Sequence, residues 1–196
     1  MATMPAVLSQ AEVHDLLNRI RVPRYRICLS VIYACGLRVT EAVSLTVAQI
    51  DSGRMLLHIQ AGKGNKDRYV PLSVHLIRGI QKYIAAEHPV KFLFEGRGNP
   101  EGKGFDGRYS QRGVQWVVKR IAHDAGIIKE VHTHMLRHSY ATHLLEDGVN
   151  IISVQKLLGH ANIENTMIYR HICTPPDKLP QSPLDKVFAL CSRHGK

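Results

Sequence analysis

The sequence lacks any apolar run that approaches the roughly 18 residues that suggest a membrane span. Residues 1–10 also lack the basic start and apolar block of a secretory signal. We therefore expect a cytoplasmic protein with no membrane partner. No internal repeat is visible, and a chain of 196 residues that is 44% hydrophobic and 21% charged is typical of one globular domain.

Cysteine is scarce, and its 4 positions form neither a Cys-x-x-Cys pair nor a zinc-ribbon spacing. In the cytoplasm these cysteines are expected to be reduced. Cys28 and Cys35 lie on one apolar segment, so we expect them to pack in the core.

Acidic side chains are in the minority, with 16 against 26 basic ones, and the net charge is +10. Such an excess favours a polyanionic partner, of which nucleic acid is the commonest. A merely basic soluble protein is the alternative on charge alone. The candidates for contacts with a DNA backbone lie at the predicted hairpin and in the loop over 95–109, and are Lys66, Arg68, Arg97, Lys103 and Arg108. For residues 95–109, a plain solvated loop is the other interpretation.

Hydrophobic periodicity predicts a mainly α-helical α+β domain with a small antiparallel hairpin at one edge. The predicted elements are a helix opened by a capping box at Ser9, a core helix over about 24–35, strands over 54–60 and 68–72, helices capped by Ser73 and Ser110, and a short third strand over 92–94. Arg38 lies at the tight corner where Gly36 ends the core helix.

The segment from His132 to His171 carries most of the potential chemistry. Thr133 is predicted to cap a helix that ends at Gly148, and His134 and Arg137 share one face of it.

Two shorter helices are predicted to follow. Asn150 caps the first, which ends at Gly159 and His160. Asn162 caps the second, and Tyr169 lies near its end.

The order His-x-x-Arg, Gly-His and Tyr, formed by His134, Arg137, His160 and Tyr169, resembles the catalytic core of the tyrosine recombinase (phage integrase) family. That family includes Xer-like and integron-type integrases. The resemblance implies an upstream arginine in a Gly-Leu-Arg context and a lysine in a glycine-rich hairpin, and Arg38 and Lys63 stand in those contexts.

The resemblance implies DNA strand cleavage and rejoining through a 3′-phosphotyrosyl intermediate, with Tyr169 as the nucleophile. Arg38 and Arg137 would clamp the phosphate, since guanidinium groups pair bidentately with it and remain charged. His134 and His160 would orient the phosphate by hydrogen bonds, and His134 could assist proton transfer from Tyr169.

The leaving 5′ oxygen needs a proton, and the resemblance implies Lys63 as the general acid. Lys66 is the competing candidate, and contact with phosphate alone is the alternative for either lysine. This scheme needs no metal and no cofactor. The spacing of His134 and His138 would suit zinc, but the glutamate of an HExxH motif is missing.

Several site residues have rival interpretations. Tyr140 is the rival nucleophile, although it should face partly into the core. Arg38 could simply pair with Glu41. His138 and His143 are interpreted as structural or DNA-facing residues.

Residues 1–172 are predicted to form the catalytic domain, and residues 173–196 a linker and a C-terminal helix. One apolar stripe marks that helix: Leu184, Val187, Phe188 and Cys191. The resemblance implies that it docks on a neighbouring protomer in a homotetramer on double-stranded DNA. Folding back onto its own core is the alternative.

Two other functions stay open at this point: a DNA-binding accessory protein with a degenerate site, and a type IB topoisomerase. About thirty residues precede the Gly-Leu-Arg corner. The resemblance implies an additional N-terminal helical domain in most members of the family. We therefore expect either an isolated catalytic domain or a naturally short member, with weaker, strongly salt-sensitive DNA binding.

Overall fold

The computed structural model describes residues 6–60, 67–96 and 106–169. Within those ranges the chain forms eight helices and a sheet of three short strands. The helices are α1 (Gln10–Arg19), α2 (Pro23–Cys35), α3 (Val39–Val43), α4 (Val74–Glu87), α5 (Gln111–Asp124), α6 (Thr133–Glu146), α7 (Ile151–Leu158) and α8 (Glu164–Met167). The strands are β1 (Ile50–Asp51), β2 (Leu56–Ile59) and β3 (Arg68–Pro71). In this part of the chain, no helix has the length and apolar character to cross a membrane.

Helix α2 is the centre of the fold. Pro23 is tolerated at its start, where a backbone N–H would have no helical partner. The helix is apolar almost all round and contacts α1, α3, α4, α5 and α6, which confirms that it runs through the core. Cys28 and Cys35 are fully buried there, and burial raises the pKa of each thiol to about 12.

Local side-chain caps begin four of the helices as predicted. Ser9 and Glu12 form the reciprocal capping box of α1, and Ser73, Ser110 and Asn150 accept backbone N–H groups of α4, α5 and α7.

The predicted cap of α6 is wrong by one residue. His132 Nδ1 accepts the N–H of Met135, and Thr133 is the first helical residue. Thr133 is 5% exposed, because its side chain faces the core instead of the helix end. The far end agrees with the prediction, since Gly148 follows α6 with a φ of +85°.

The predicted hairpin is present as the antiparallel pair β2 and β3, in which Leu57 pairs with Val70 and Ile59 with Arg68. Successive side chains of a strand point to opposite faces. Leu57, Ile59, Arg68 and Val70 accordingly face the interior, while Tyr69 is 60% exposed.

The third strand lies elsewhere than predicted. It is β1, which pairs with β2, whereas Phe92 makes only an isolated bridge with Thr46. Leu93 and Phe94 are both fully buried, so this segment does not alternate between two faces as a strand would. Its backbone bonds go to neighbouring loops: Leu93 N–H donates to Leu45, and Tyr109 N–H donates to Phe94.

Some predicted features fall outside the described residues, and they stay predictions. Lys63 and Lys66 lie in 61–66, Arg97 and Lys103 lie in 97–105, and the C-terminal helix lies in 170–196.

Candidate active site

Arg137 is a buried guanidinium that bridges two distant parts of the backbone. It projects from α6 and is 2% exposed. Its Nη1 donates to the carbonyl of Gly36 at 2.6 Å, and its Nη2 donates to the carbonyl of Leu158 at 2.7 Å. Burial, followed by the charge of Arg38, lowers its pKa to about 10, so it is still a cation at neutral pH. A positive charge is therefore fixed in place before any substrate arrives.

Gly36 ends α2 and forms the tight turn that precedes Arg38. Its φ is +60°, and a Cβ there would lie 2.4 Å from a ring carbon of Tyr140. Glycine is therefore required both by the backbone conformation and by the close approach of that ring. Tyr140 is 9% exposed and belongs to an apolar cluster with Val154 and Leu158, in agreement with its expected orientation toward the core.

Glu41 is the acidic partner of three arginines. Its two carboxylate oxygens accept the Nη1 and Nη2 of Arg68, each at 2.9 Å. It also accepts the backbone N–H of Arg38 at 2.7 Å, and it lies 3.7 Å from Arg137 Nη1. Burial alone would raise the pKa of Glu41, but the hydrogen bonds and charge of Arg68 lower it. The carboxylate is thus held ionised at the centre of the arginine group.

The side chain of Arg68 is buried, which argues against the predicted contact with DNA. Arg68 is 7% exposed, and besides its fork on Glu41 it donates Nε to the carbonyl of Leu157 at 2.9 Å. Gly159, with a φ of +65°, packs against it so closely that a Cβ would lie 3.0 Å from Arg68 Nη1. The alternation of Arg68, Val70 and Leu72 was the signal that places this arginine on the inner face.

Arg38 remains open to solvent. It precedes α3, and its Nη1 donates to Glu41 at 3.1 Å, which is the ion pair considered as an alternative role. However, 37% of its side chain is exposed, against 6% for that of Arg68. Since Arg68 already occupies both oxygens of Glu41, the pair leaves Arg38 with donors to offer to another anion.

His160 lies two residues beyond the end of α7 and contacts α8. Its Nδ1 lies 2.9 Å from the hydroxyl of Thr166. Burial, then the charges of Arg137 and Arg38, lower its pKa to about 4, so it is neutral at neutral pH. The helix that carries Thr166 begins at Glu164 and has no side-chain cap, so the predicted cap at Asn162 is wrong. Asn162 instead supplies its backbone carbonyl to the N–H of Asn165.

His134 lies at the exposed edge of the same group. Burial of part of its ring lowers its pKa, and the charges of Arg137, His132 and Arg38 add to that effect. Its ring centroid is 5.4 Å from that of His138, one helical turn further along α6. His134 is thus close enough to both arginines to respond to their charge.

Tyr169 lies two residues beyond α8 and is 1% exposed. Its hydroxyl is 2.6 Å from Nδ1 of His138. Burial raises the pKa of the phenol, while the charge of Arg137 lowers it. The imidazole at this phenol is therefore that of His138, and not that of His134 as the sequence suggested. No local signal joins residues 138 and 169, because the rest of α6 and the whole of α7 and α8 separate them in the chain.

Arg108 is the remaining described candidate for DNA contact. It forms an ion pair with Asp106, its Nη1 donates to the hydroxyl of Ser44 at 3.1 Å, and its side chain is 43% exposed. Ser44 directly follows α3, so Arg108 lies at the opposite end of that helix from Arg38. Its contact with DNA stays a prediction.

The described candidates thus converge on Arg137: Arg38 from the α2–α3 corner, His134 from α6, and His160 and Tyr169 from the segment after α7. Two fixed guanidinium groups, neutral imidazoles and a phenol suit the stabilisation of a phosphoryl centre and attack on it. Among the described residues, no group of three or more His, Cys, Asp or Glu could hold a metal ion.

The fold and the site together define a mainly helical domain whose arginines, imidazoles and phenol suit chemistry at a phosphoryl centre. The family model described as the phage integrase family matches residues 6–174. The chain belongs to that family, which confirms the resemblance found in the sequence.

Relatives in several organisms extend this assignment. A tyrosine recombinase of Thermosipho africanus is 40% identical over 172 residues, covering 86% of this chain and 58% of the relative. Tyrosine recombinase XerC of Lacticaseibacillus casei is 34% identical over 185 residues, covering 86% of this chain and 59% of the relative. Tyrosine recombinase XerA of Thermococcus kodakarensis is 38% identical over 174 residues, with 87% and 59% covered. This chain therefore spans less than two thirds of the length of these relatives.

Solved structures share the fold. The XerA recombinase has a TM-score of 0.74 at 27% identity, with 95% of this chain and 65% of that chain covered. The XerH recombinase bound to its difH substrate in a pre-cleavage complex has a TM-score of 0.73 at 30% identity, with 86% and 51% covered. The catalytic domain of bacteriophage HP1 integrase, at 24% identity and a TM-score of 0.63, covers 94% of both chains and shows the fold alone. The predicted class, mainly helical with a small antiparallel sheet, is confirmed.

Proposed function

We propose that this chain carries the catalytic domain of a site-specific DNA recombinase, over residues 1–172. The hydroxyl of Tyr169 attacks a backbone phosphorus, forms a 3′-phosphotyrosyl ester and releases a 5′ hydroxyl; the reverse reaction joins a new strand. The observation that carries the proposal is the buried guanidinium of Arg137, which is hydrogen-bonded to the backbone of Gly36 and Leu158. Arg38, His160 and Tyr169 come from distant parts of the sequence and lie close enough to interact with its charge.

The charge balance of the site supports this chemistry. Glu41 and Arg68 form a close bidentate ion pair and largely neutralise each other. Arg38 and Arg137 then remain as the positive charge available to a phosphate. Because Arg137 is held by two carbonyl groups, it need not reorganise as negative charge develops on the phosphoryl oxygens, which is the condition for strong electrostatic stabilisation.

The histidines act as hydrogen-bond donors in this proposal. His160 has a pKa of about 4, so it is neutral and can still offer one ring N–H to a phosphate oxygen. His134 is placed on the exposed side of the same group for a second such bond. Lys63, outside the described residues, is the proposed general acid for the leaving 5′ oxygen, with Lys66 as its competitor.

Double-stranded DNA is the proposed substrate. The similar XerH recombinase was solved with its difH substrate, and the net charge of +10 suits a polyanion. We further propose a homotetramer on DNA, joined through the C-terminal helix of residues 173–196, and action in the cytoplasm. A type IB topoisomerase would instead relax supercoiled DNA without joining two sites, and an accessory protein would leave DNA uncut.

The test is covalent capture on a nicked suicide substrate, from which the cleaved end cannot be rejoined. Tyr169→Phe should give no protein–DNA adduct while its DNA affinity stays unchanged, because only the nucleophilic oxygen is lost. Tyr140→Phe is the matched control and should still form the adduct, since Tyr140 packs against Gly36. A full yield of adduct from the Tyr169→Phe variant would overturn the proposal.

A further inference from the structure

The hydrogen bond between Tyr169 and His138 concerns the proton that a tyrosine nucleophile must lose. The phenolic oxygen lies 2.6 Å from Nδ1 of His138, and the two ring centroids are 5.6 Å apart. Burial raises the pKa of this phenol, so spontaneous ionisation is disfavoured at neutral pH. Attack therefore needs a proton acceptor, and within the described chain His138 is the side chain that hydrogen-bonds this hydroxyl.

The surroundings of His138 keep its imidazole neutral. Burial, followed by the charges of His134, His132 and Arg137, lowers its pKa to about 4. The titratable and charged groups that face it are His134 and Arg137 on α6, His132 at the cap of α6, and His160 and Tyr169 from the segment after α7. A neutral imidazole has one ring nitrogen with a lone pair, and the close contact with a hydroxyl group fits Nδ1 as that nitrogen.

We propose that His138 is the general base that accepts the phenolic proton of Tyr169 during strand cleavage, an inference that rests on the proposed function. As the bond between Tyr169 Oη and phosphorus forms and the bond between phosphorus and the 5′ oxygen breaks, the phenolic proton moves to His138 Nδ1. The 5′ oxygen takes its proton from the general acid. In the rejoining step the imidazolium returns the proton to the departing phenolate of Tyr169.

The same surroundings connect proton transfer to substrate binding. In the free protein burial, followed by the nearby positive charges, makes an imidazolium at position 138 unfavourable. A DNA phosphate bound at Arg38 and Arg137 brings a negative charge that offsets this penalty and raises the basicity of His138. The base thus becomes effective when the substrate is in place, and the pKa of a catalytic base is most useful near the working pH.

Two other roles make different predictions. If His138 only positioned Tyr169, a glutamine at position 138 could replace it, because its amide oxygen also accepts a hydrogen bond. If the hydrogen bond held Tyr169 away from the phosphate, removing it would speed up cleavage.

The experiment measures single-turnover cleavage of the nicked suicide substrate by His138→Gln and His138→Ala, with DNA affinity and thermal unfolding recorded for each variant. We expect both to cleave at least about a hundredfold more slowly, the usual contribution of a general base, with DNA affinity unchanged. His143→Gln is the matched control, because His143 also lies on α6 and its Nδ1 contacts a tyrosine hydroxyl, that of Tyr33, at 2.9 Å. It should cleave at the unaltered rate.

A second measurement separates proton transfer from positioning. Fluorinated tyrosine at position 169 has a more acidic phenol and needs less help from a base. In the His138→Gln variant it should restore cleavage by at least about tenfold, and in the unaltered chain it should gain much less.

The inference is overturned if His138→Gln cleaves at the unaltered rate or faster, or if fluorinated tyrosine fails to rescue a slow variant. A lack of adduct from the unaltered chain would instead overturn the proposed function, and the inference with it.

Discussion

The arginine group and the tyrosine region of this site are held in different ways. Arg137 and Arg68 are buried, and each is fixed by at least two hydrogen bonds to distant parts of the chain. Tyr169 follows a helix of four residues and packs in an apolar cluster with Tyr140, Val154 and Leu158, and within the described chain one hydrogen bond, to His138, holds its hydroxyl. The arginines are therefore fixed by polar contacts, while the proposed nucleophile is held by apolar packing and one hydrogen bond.

This difference suits the order of events in strand cleavage. A preorganised cationic site stabilises the phosphoryl centre at no cost of reorganisation. In the proposed mechanism the apolar surroundings of Tyr169, which is 1% exposed, have to open to a phosphate while its hydroxyl keeps the bond to His138. The variants below test each side of this comparison, starting with the one of largest expected effect.

Arg68→Gln should disrupt the ion pairs between Glu41 and the arginines around it. Glu41 would lose both of its bonds to Arg68 and turn to Arg38 and Arg137, so that less positive charge remains for the phosphate. We expect cleavage to fall about a hundredfold, as when one fixed donor is lost, and the free energy of unfolding to fall by about 3 kcal/mol, as when a buried ion pair is broken. The measurements are single-turnover cleavage and urea unfolding.

Arg108→Gln is the control for stability, because Arg108 is also ion-paired but 43% of its side chain is exposed. Its free energy of unfolding should change by less than about 0.5 kcal/mol. If Arg68→Gln unfolded like the unaltered chain and lost DNA affinity instead, the original prediction of a DNA contact at Arg68 would be right after all.

Gly36→Ala should distort the corner that links α2 to Arg38. The added Cβ would meet the ring of Tyr140 at 2.4 Å and would also sit at a φ of +60°. We expect the free energy of unfolding to fall by about 2 to 3 kcal/mol, from backbone strain and overpacking together.

Gly126→Ala is a matched control, because its φ is +69° but nothing lies within 4 Å of the added Cβ. It should cost only the backbone strain of about 1 kcal/mol. If urea unfolding gave the same decrease in the free energy of unfolding for both variants, the contact with Tyr140 would contribute nothing to the loss at Gly36.

Lowering the pH should reduce the free energy of unfolding through His138 and His160. The pKa values of His138 and His160 are each lowered to about 4, below the ordinary value of about 6.5. The unfolded chain therefore binds more protons between these values, and stability is full above about pH 6.5 and falls as pH drops toward 4.

We expect a loss on the order of 1 kcal/mol for each histidine, after allowance for partial solvent screening. Thermal unfolding of the unaltered chain and of His138→Gln between pH 7 and pH 4.5 measures the effect. A pH slope as steep in the variant as in the unaltered chain would argue against His138 as a source of it.

Much of the fold could be predicted from the sequence because its signals are local. The caps at Ser9, Ser73, Ser110 and Asn150 each bond a backbone group two or three positions away. The apolar pattern of the helices and the alternation of the hairpin are equally local. The segment over 92–94 was misassigned because its backbone bonds go to distant loops instead of a strand, which a short window of sequence does not reveal.

The candidate site was only partly predictable, because its contacts join residues far apart in sequence. Motif order pointed to Arg137 and Tyr169, but it carried no information on their hydrogen-bond partners. The fork of Arg68 on Glu41 spans 27 positions, and the bond from His138 to Tyr169 spans 31. The orientation of Arg68 could have been inferred from strand alternation, whereas the contact of His138 with Tyr169 required the folded structure.

The most direct test is to identify the residue that becomes joined to DNA. The adduct formed on the suicide substrate is digested with trypsin, and mass spectrometry locates the modified side chain. We expect the phenolic oxygen of Tyr169, esterified to a 3′ phosphate. A linkage through Tyr140 or any other residue, or to a 5′ phosphate, would contradict the assignment of Tyr169 as the nucleophile.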